Sequence, residues 1–523
     1  MTVSQERSSF RDPEAQSGPG VRLAYLPRPV VLRYALPSVV AGVLSACSLA
    51  PEPLPPVPAS VRTLPEVFAA GELEGAYEPL EWWTSFADPV LDEIIQEVLA
   101  SNFDLAAAVA RVEQARMQAG LARAAMFPLV QPSVGGVEFD TPTNAGIGAQ
   151  LDELGLGTPL ESVAGIALPD RLGLTTYSLS MEFAYEADFW GRNRNDALAA
   201  GAAHLASESD YVSARMGVLS ETIATYLEVV NLRAQEGLAE RTVEIAGQLE
   251  ALAVSRYDSG LTDVRDLYAA RRNLRTAEAE LLRIEALLAD AEGRLWVLVG
   301  GYSEELEDLL PDAMAPTAAY PPAPAGIVAD LLVQRPDVNA ARQRVDAARF
   351  SVGARRAELF PRLSLQGFIG IQSTDADEWF DVDQWFRNLS LNLLGPVFQG
   401  SRRRSQLALA EAQLNEATAA YGRSVIAAVT DVETALTGLE SNRRRHALLT
   451  SVMEDAEAEA DLLEQRYISG VAAYEEFLSA AQSLVAAEGL LAAAERDLGY
   501  ARLALHRALG GAWTAEDAEA IQE

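Results

Sequence analysis

Apolar positions along the chain change period in the same order in each of its two halves. From about Phe103 to Met126 they recur at helical spacing, and Pro128, which lacks the N–H that would continue a helix, follows. The period then falls to two: Tyr177, Leu179, Met181, Phe183 and Tyr185 face one way, and Ser178, Ser180, Glu182 and Ala184 the other. An earlier strand near Ser133 to Phe139 alternates less clearly. From Arg192 to about Tyr257 no proline interrupts a helical pattern that at 1.5 Å per residue spans roughly 100 Å. Gly260 breaks it, and a shorter return helix runs to Gly300. The second half predicts a helix from Pro336 to Leu359 before Pro361, strands opening at Leu363-Ser364-Leu365-Gln366-Gly367 and Leu389-Ser390-Leu391-Asn392-Leu393, a long helix from Arg402 to about Tyr467, a break at Gly470 and a return to Gly510.

The two halves are copies. One ungapped shift carries Leu99–Pro128 onto Leu332–Pro361, matching Asp104 to Asp337, Arg111-Val112 to Arg344-Val345, Gly120 to Gly353, Arg123 to Arg356 and Phe127-Pro128 to Phe360-Pro361. A shorter shift carries Arg256-Tyr257-Asp258-Ser259-Gly260 onto Arg466-Tyr467-Ile468-Ser469-Gly470 and Gly300-Gly301 onto Gly510-Gly511. Alanine-rich helices match by composition, but these Arg, Gly, Pro and Tyr positions do not.

Alternation says that each sheet has one dry and one wet face, which a small sandwich in water also provides. Four strands cannot close a barrel in lipid, where open edges leave backbone groups unpaired; three chains would supply twelve. Alanine at heptad-like spacing, as in Leu407-Ala408-Leu409-Ala410-Glu411-Ala412-Gln413-Leu414, lets the long helices approach closely as coiled coils.

Composition narrows the chemistry. One cysteine and three histidines in 523 residues leave little for metal or nucleophilic catalysis, and the formal charge of −34 excludes a phosphate-backbone or anionic-surface partner. His204, His446 and His506 lie on predicted helices without a ligand partner one turn on, so no metal site and no cofactor is expected. Gly135-Gly136 and Gly300-Gly301 lack the context of phosphate loops, and Arg402-Arg403-Arg404 reads as a belt at a strand-to-helix junction. No apolar run reaches the roughly 20 residues of a spanning helix. The short apolar stretch Tyr34–Ala46 follows Arg22, Arg28 and Arg33 and ends in Leu44-Ser45-Ala46-Cys47, the pattern of a secretory signal. Cys47 after small residues resembles the lipobox of bacterial lipoproteins, whose cysteine is acylated; the alternative is a chance cysteine in an apolar segment. Pro51-Glu52-Pro53-Leu54-Pro55-Pro56-Val57-Pro58 would then be a stiff tether, and Ser48 after the cysteine points to the outer membrane under the lipoprotein sorting rule.

With these residues in order, the chain resembles the TolC family of outer-membrane factors, and within it the lipidated NodT-like type that serves resistance-nodulation-division pumps. Trp82-Trp83-Thr84-Ser85-Phe86-Ala87-Asp88-Pro89-Val90-Leu91 with Asn102-Phe103-Asp104-Leu105 resembles the family's opening phrase, and Arg335-Pro336-Asp337-Val338 the opening of its second half. Phe189-Trp190-Gly191-Arg192 and Gly395-Pro396-Val397-Phe398-Gln399-Gly400 resemble its strand-to-helix junctions. The resemblance implies a mostly α chain with a small β part: a homotrimer whose twelve strands, four per chain, form an outer-membrane β-barrel continued by a long periplasmic α-helical barrel. It implies residues 1–46 as signal peptide, 47–80 as lipid-anchored tether, 81–310 and 325–511 as two tandem repeats and 512–523 as a tail. It further implies a passive, non-enzymatic duct, a periplasmic adaptor and an inner-membrane transporter as partners, and a covalent lipid on Cys47.

The family also implies a gate at the helix breaks Gly260 and Gly470, where Asp266, Tyr467 and Glu476 match gating positions. Ala472 stands where some members carry arginine and Ser479 where many carry aspartate; Glu475 beside Glu476 is a substitute charge. Read without the family, these carboxylates are solvated helix-end groups favoured by the dipole. Two rival functions are a periplasmic coiled coil outside the membrane and a type I secretion duct for protein cargo. The seven scattered methionines mark no copper or silver cargo.

Overall fold

A computed structural model describes residues 82–142, 171–301, 310–311, 335–375, 384–396 and 398–511. The expected signal peptide, Cys47, tether and tail lie outside them. A 3-10 turn, Trp82–Phe86, leads into helices α1 (Pro89–Ser101) and α2 (Phe103–Ala124), then strands β1 (Leu129–Pro142) and β2 (Arg171–Ala187). Helix α3 (Arg192–Asp258) runs 67 residues and α4 (Val264–Val299) returns. The second copy follows as α5 (Pro336–Ala357), β3 (Arg362–Ser373), β4 (Trp385–Leu394), α6 (Arg402–Ile468), also 67 residues, and α7 (Tyr474–Leu509). The described chain is thus mostly helical with one small sheet, as the punctuation by Pro and Gly predicts.

Strand bounds differ from the periodicity. β1 reaches Pro142 and β2 begins at Arg171, past the alternation read near Ser133 to Phe139 and from Tyr177 to Tyr185, and β4 begins at Trp385, ahead of the alternation at Leu389. Strand pairing, here Asp140 with Gly173 and Thr141 with Leu172, extends ladders through residues that carry no apolar alternation.

The sheet is antiparallel in the order β1-β2-β3-β4, so the hairpins of the two copies join side by side. Its register stacks Val134, Leu179 and Ile371 in one row, Pro132, Met181 and Ile369 in the next, and Tyr185, Leu365 and Leu391 further along. One face is therefore largely apolar across all four strands, interrupted by Arg387 opposite Ile369, and it is uncovered: Leu389, Leu391 and Leu393 are 75%, 68% and 70% exposed. The other face carries Ser180, Glu182, Ser364, Gln366, Ser390 and Asn392. Gly370 is required by close approach, since a Cβ there would collide with the Leu179 carbonyl and Ser180.

Helices pack laterally in two layers of contact. Near the sheet α2 lies on α3, α3 on α5 and α5 on α6; toward the far ends α4 lies on α3, α3 on α7 and α7 on α6. Helix α7 is by composition long and apolar enough to cross a membrane, contrary to the expectation that no stretch is. Its Glu488 pairs with Arg241 of α3 at 2.6 Å and its Arg496 with Glu228 at 3.3 Å, so its apolar residues serve helix packing. The junction of the two copies is fixed by Trp190, which donates to the Pro361 carbonyl at 2.7 Å and stacks on Phe360 at 4.7 Å.

The largest core lies around the middle of α3, where Leu219, Ile223, Tyr226 and Val230 meet Leu91, Ile94, Ile95 and Val98 of α1 and Leu295 of α4. Asp88 caps α1 through the N–H groups of Val90 and Leu91 and accepts from the Tyr226 hydroxyl at 2.5 Å. Duplication shows here too: Asn102 donates to the Leu298 carbonyl at 2.7 Å, and its counterpart Arg335 donates to the counterpart carbonyl of Ala508 at 3.0 Å. Arg335 also holds Asp337 at 2.8 Å and Asp431 at 3.1 Å. Arg335→Ala should cost about 2 kcal/mol, because it orphans a buried carbonyl and an ion pair whose carboxylates are partly wet; chemical denaturation of the detergent-solubilised protein measures it.

His506 is a packing residue. Its ring is buried, stacks on Trp82 at 5.1 Å, and faces Arg502, whose guanidinium donates to the Ser85 carbonyl at 2.6 Å and covers Phe86. Burial, then the Arg502 charge, lowers its pKa to about 4. Below the ordinary value near 6.5 the unfolded chain takes up a proton that the folded chain refuses, so stability falls as pH drops from about 6.5 to about 4, by up to about 3 kcal/mol. His506→Phe, which keeps the stack, should flatten this dependence of the melting temperature.

Candidate functional site

Both long helices end in the same stop. Gly260 and Gly470 adopt φ of 71° and 72°, Leu261 N–H donates to the Arg256 carbonyl and Val471 N–H to that of Arg466, both at 2.8 Å, closing Schellman motifs. A side chain in that left-handed region costs roughly 1–2 kcal/mol, which is why glycine stands at both breaks. The next helices start within four residues, so each tip is a tight reversal.

Within one chain the tips are tied by Arg256, a repeated position, and Glu475, the substitute charge, together with Tyr474 and Gln248, which no sequence pattern marks. Arg256 of α3 pairs with Glu475 of α7 at 2.5 Å, and Tyr474 donates to Gln248 of α3 at 2.7 Å. Glu475 is therefore committed to α3. The signal available was the repeated Arg-Tyr pair, since Arg256 and Arg466 hold equivalent positions. A groove of about 300 Å³ between α3, α4 and α7 is lined by Arg256, Thr262, Asp266, Glu475 and Gln482.

The three expected gate residues occupy these tips but do not meet inside one chain. Asp266 accepts from the Thr262 hydroxyl. Tyr467 lies parallel to Phe477 at 5.9 Å and against Tyr474 at 5.0 Å, so its ring is clamped while its hydroxyl has no hydrogen-bond partner among the described residues. Glu476 accepts from the Ala473 N–H at 3.4 Å at the start of α7, where Ala473 offers no capping oxygen of its own; Asp263 caps α4 in the other copy. Among the described residues no cluster of three or more His, Cys, Asp or Glu is placed to hold a metal.

A family model described as outer membrane efflux protein matches residues 94–301 and 327–511. The chain belongs to the outer membrane efflux protein family. Among its relatives, the pyoverdine export outer membrane protein OpmQ of Pseudomonas putida is 29% identical over 442 residues, 83% of this chain and 88% of that protein. The cation efflux system protein CusC of Escherichia coli is 27% identical over 487 residues, 91% of this chain and 98% of that one. The crystal structure of the outer membrane protein VceC from Vibrio cholerae matches with a TM-score of 0.70 at 26% identity, over 84% of this chain and all of that one. The two matched segments of this efflux protein each hold a long helix, its tip and its return, so the paired tips described above belong to the matched region.

Proposed function

We propose that the chain is the outer-membrane exit duct of a tripartite efflux pump, a passive homotrimer that receives small molecules from an inner-membrane resistance-nodulation-division transporter through a periplasmic adaptor. The observation that carries this is the uncovered apolar face running across β1 to β4, in a sheet whose two edges are open and whose strands lead straight into helices of 67 residues. Three such sheets close edge to edge into twelve strands and leave no unpaired backbone in lipid. Acylation of Cys47 anchors the trimer to the same membrane. Relatives named for pyoverdine export and cation efflux favour small cargo over protein cargo.

At the tips, Asp266, Tyr467 and Glu476 form the closed gate through contacts between copies. A threefold ring of Glu476 concentrates cations at the constriction. Glu476→Gln should reduce the cation preference of single channels in a planar bilayer.

The reading is tested in cells lacking their own efflux channels. Expressed with its adaptor and transporter, the chain should lower dye accumulation. Unchanged accumulation, with trimer present in the outer membrane, would sink the small-molecule reading and leave protein cargo.

A further inference from the structure

Duplication places two helix seams in equivalent positions, one inside the protomer and one at its edge. Inside, α3 and α7 run antiparallel in a register fixed by Leu238, whose Cδ1 lies 3.7 Å from the Cβ position of Gly489, and by the neighbouring Arg241–Glu488 pair. The shift that carries Gly260 onto Gly470 carries α3 onto α6 and α4 onto α7. Applied to the inner seam, it turns Leu238 facing Gly489 into Leu448 of α6 facing Ala279 of α4. Seven residues nearer the tip on each helix the same register holds Ile245 and Gln482, and the shift carries these positions onto Asp455 and Arg272.

Those outer positions lie on flanks that no helix of the same chain covers. Helix α4 packs on α3 and helix α6 on α5 and α7, leaving each with a free side. The free side of α6 is marked by Leu448, Val452 and Leu462, that of α4 by Tyr268 and Leu282, each set falling on one three-to-four repeat together with the positions between them; Leu448 is 70% and Leu282 65% exposed. Asp455 and Glu459 continue the first stripe, Arg272 and Arg275 the second.

Charge is opposite on the two flanks. Between Met453 and Gln465, α6 carries six carboxylates and no basic residue, whereas α4 carries four arginines and a single acid, Asp266, between Val264 and Thr276. Among the described residues, none of the six carboxylates and not the Arg272 guanidinium makes an ion pair within the chain; Arg271 is held by Glu250 and Arg275 by Glu278. At the extreme tip the same shift turns the Arg256–Glu475 pair into Arg466 facing Arg265, with Arg265 held by Asp263 at 3.2 Å. Attraction at the outer seam therefore sits above the tip.

We propose that this flank takes a second copy of the chain, α6 of one protomer lying antiparallel along α4 of the next, with Asp455 against Arg272 as the ion pair that sets the register. The inference rests on the trimeric duct reading and adds the seam's chemistry to it. Opposite charge on matched flanks selects the correct partner edge and disfavours α6 against α6.

The test uses the full lipidated chain in detergent, following heat-resistant trimer on gels. Asp455→Arg and Arg272→Asp should each lose the trimer at temperatures where the unaltered protein keeps it, and the double exchange should restore it. High salt should weaken the unaltered trimer. Independently, Asp455→Cys with Arg272→Cys, in a Cys47→Ser background, should oxidise to covalent dimers and trimers, while Asp455→Cys with Leu282→Cys should not. Trimer that forms normally with no restoration by the exchange, no crosslink and a cysteine at 455 freely reactive to a water-soluble reagent would overturn the seam and leave the flank to another protein. Absence of trimer in the unaltered protein would instead overturn the duct reading itself.

Discussion

Met181→Arg should empty the outer membrane of assembled trimer, while Ser180→Arg, one residue earlier, should leave most of it in place. Met181 sits midway between Tyr177 and Tyr185 on β2, in register with Pro132 and Ile369 on the apolar face and two strands from Arg387, whose guanidinium lies over the Trp385 ring. At 3.3 Å per residue the two tyrosines stand roughly 26 Å apart along the strand, close to the 25 Å or so of an outer-membrane barrel's apolar band before tilt is allowed for. An arginine at that depth costs about 2–4 kcal/mol in one chain, and symmetry imposes it three times. Ser180 points to the face of Glu182 and Gln366, where a guanidinium meets water. The measurement is heat-resistant trimer recovered from outer-membrane fractions. Equal losses from both substitutions would mean that the apolar face does not meet lipid, and the periplasmic coiled-coil alternative would then stand.

The helices were legible in the sequence and the strand ends were not, for physical reasons. Pro128 and Pro361 stop helices by removing a donor, and Gly260, Gly300, Gly470 and Gly510 stop them by accepting positive φ, so helix bounds are local facts readable from single residues. In β1, Pro132 and Gly135-Gly136 break the alternation, yet the segment is a strand because β2 supplies a partner along its whole length. Arg171–Thr176 is strand for the same nonlocal reason. At the tips the residue types were legible and the partners were not: Glu475 reads as a stand-in gate charge, but it is consumed by Arg256, more than two hundred positions earlier.

Asp266→Ala combined with Tyr467→Phe should raise the closed-state conductance of the channel in a planar bilayer several-fold. Each protomer already ties its own two tips, through Arg256 to Glu475, Tyr474 to Gln248, and the clamped rings of Tyr467, Tyr474 and Phe477. Closure between protomers needs groups left over after those ties. The Tyr467 hydroxyl is one, held in place by its ring and without an acceptor among the described residues, and Asp266 is the other, with Thr262 engaging one carboxylate oxygen. Tyr467→Phe removes the hydroxyl and keeps the ring stack, so a change in current isolates the hydroxyl from tip packing. A hydrogen bond to a carboxylate is worth about 1.5–3 kcal/mol, and three related by symmetry suffice to shift a gate from mostly shut to mostly open. Arg256→Glu breaks a tie inside the protomer and should loosen the tip without that change in conductance, because an exposed pair contributes about 1 kcal/mol or less. An unaltered closed-state current in the Asp266→Ala, Tyr467→Phe protein would remove both residues from the gate and leave closure to the helix seams.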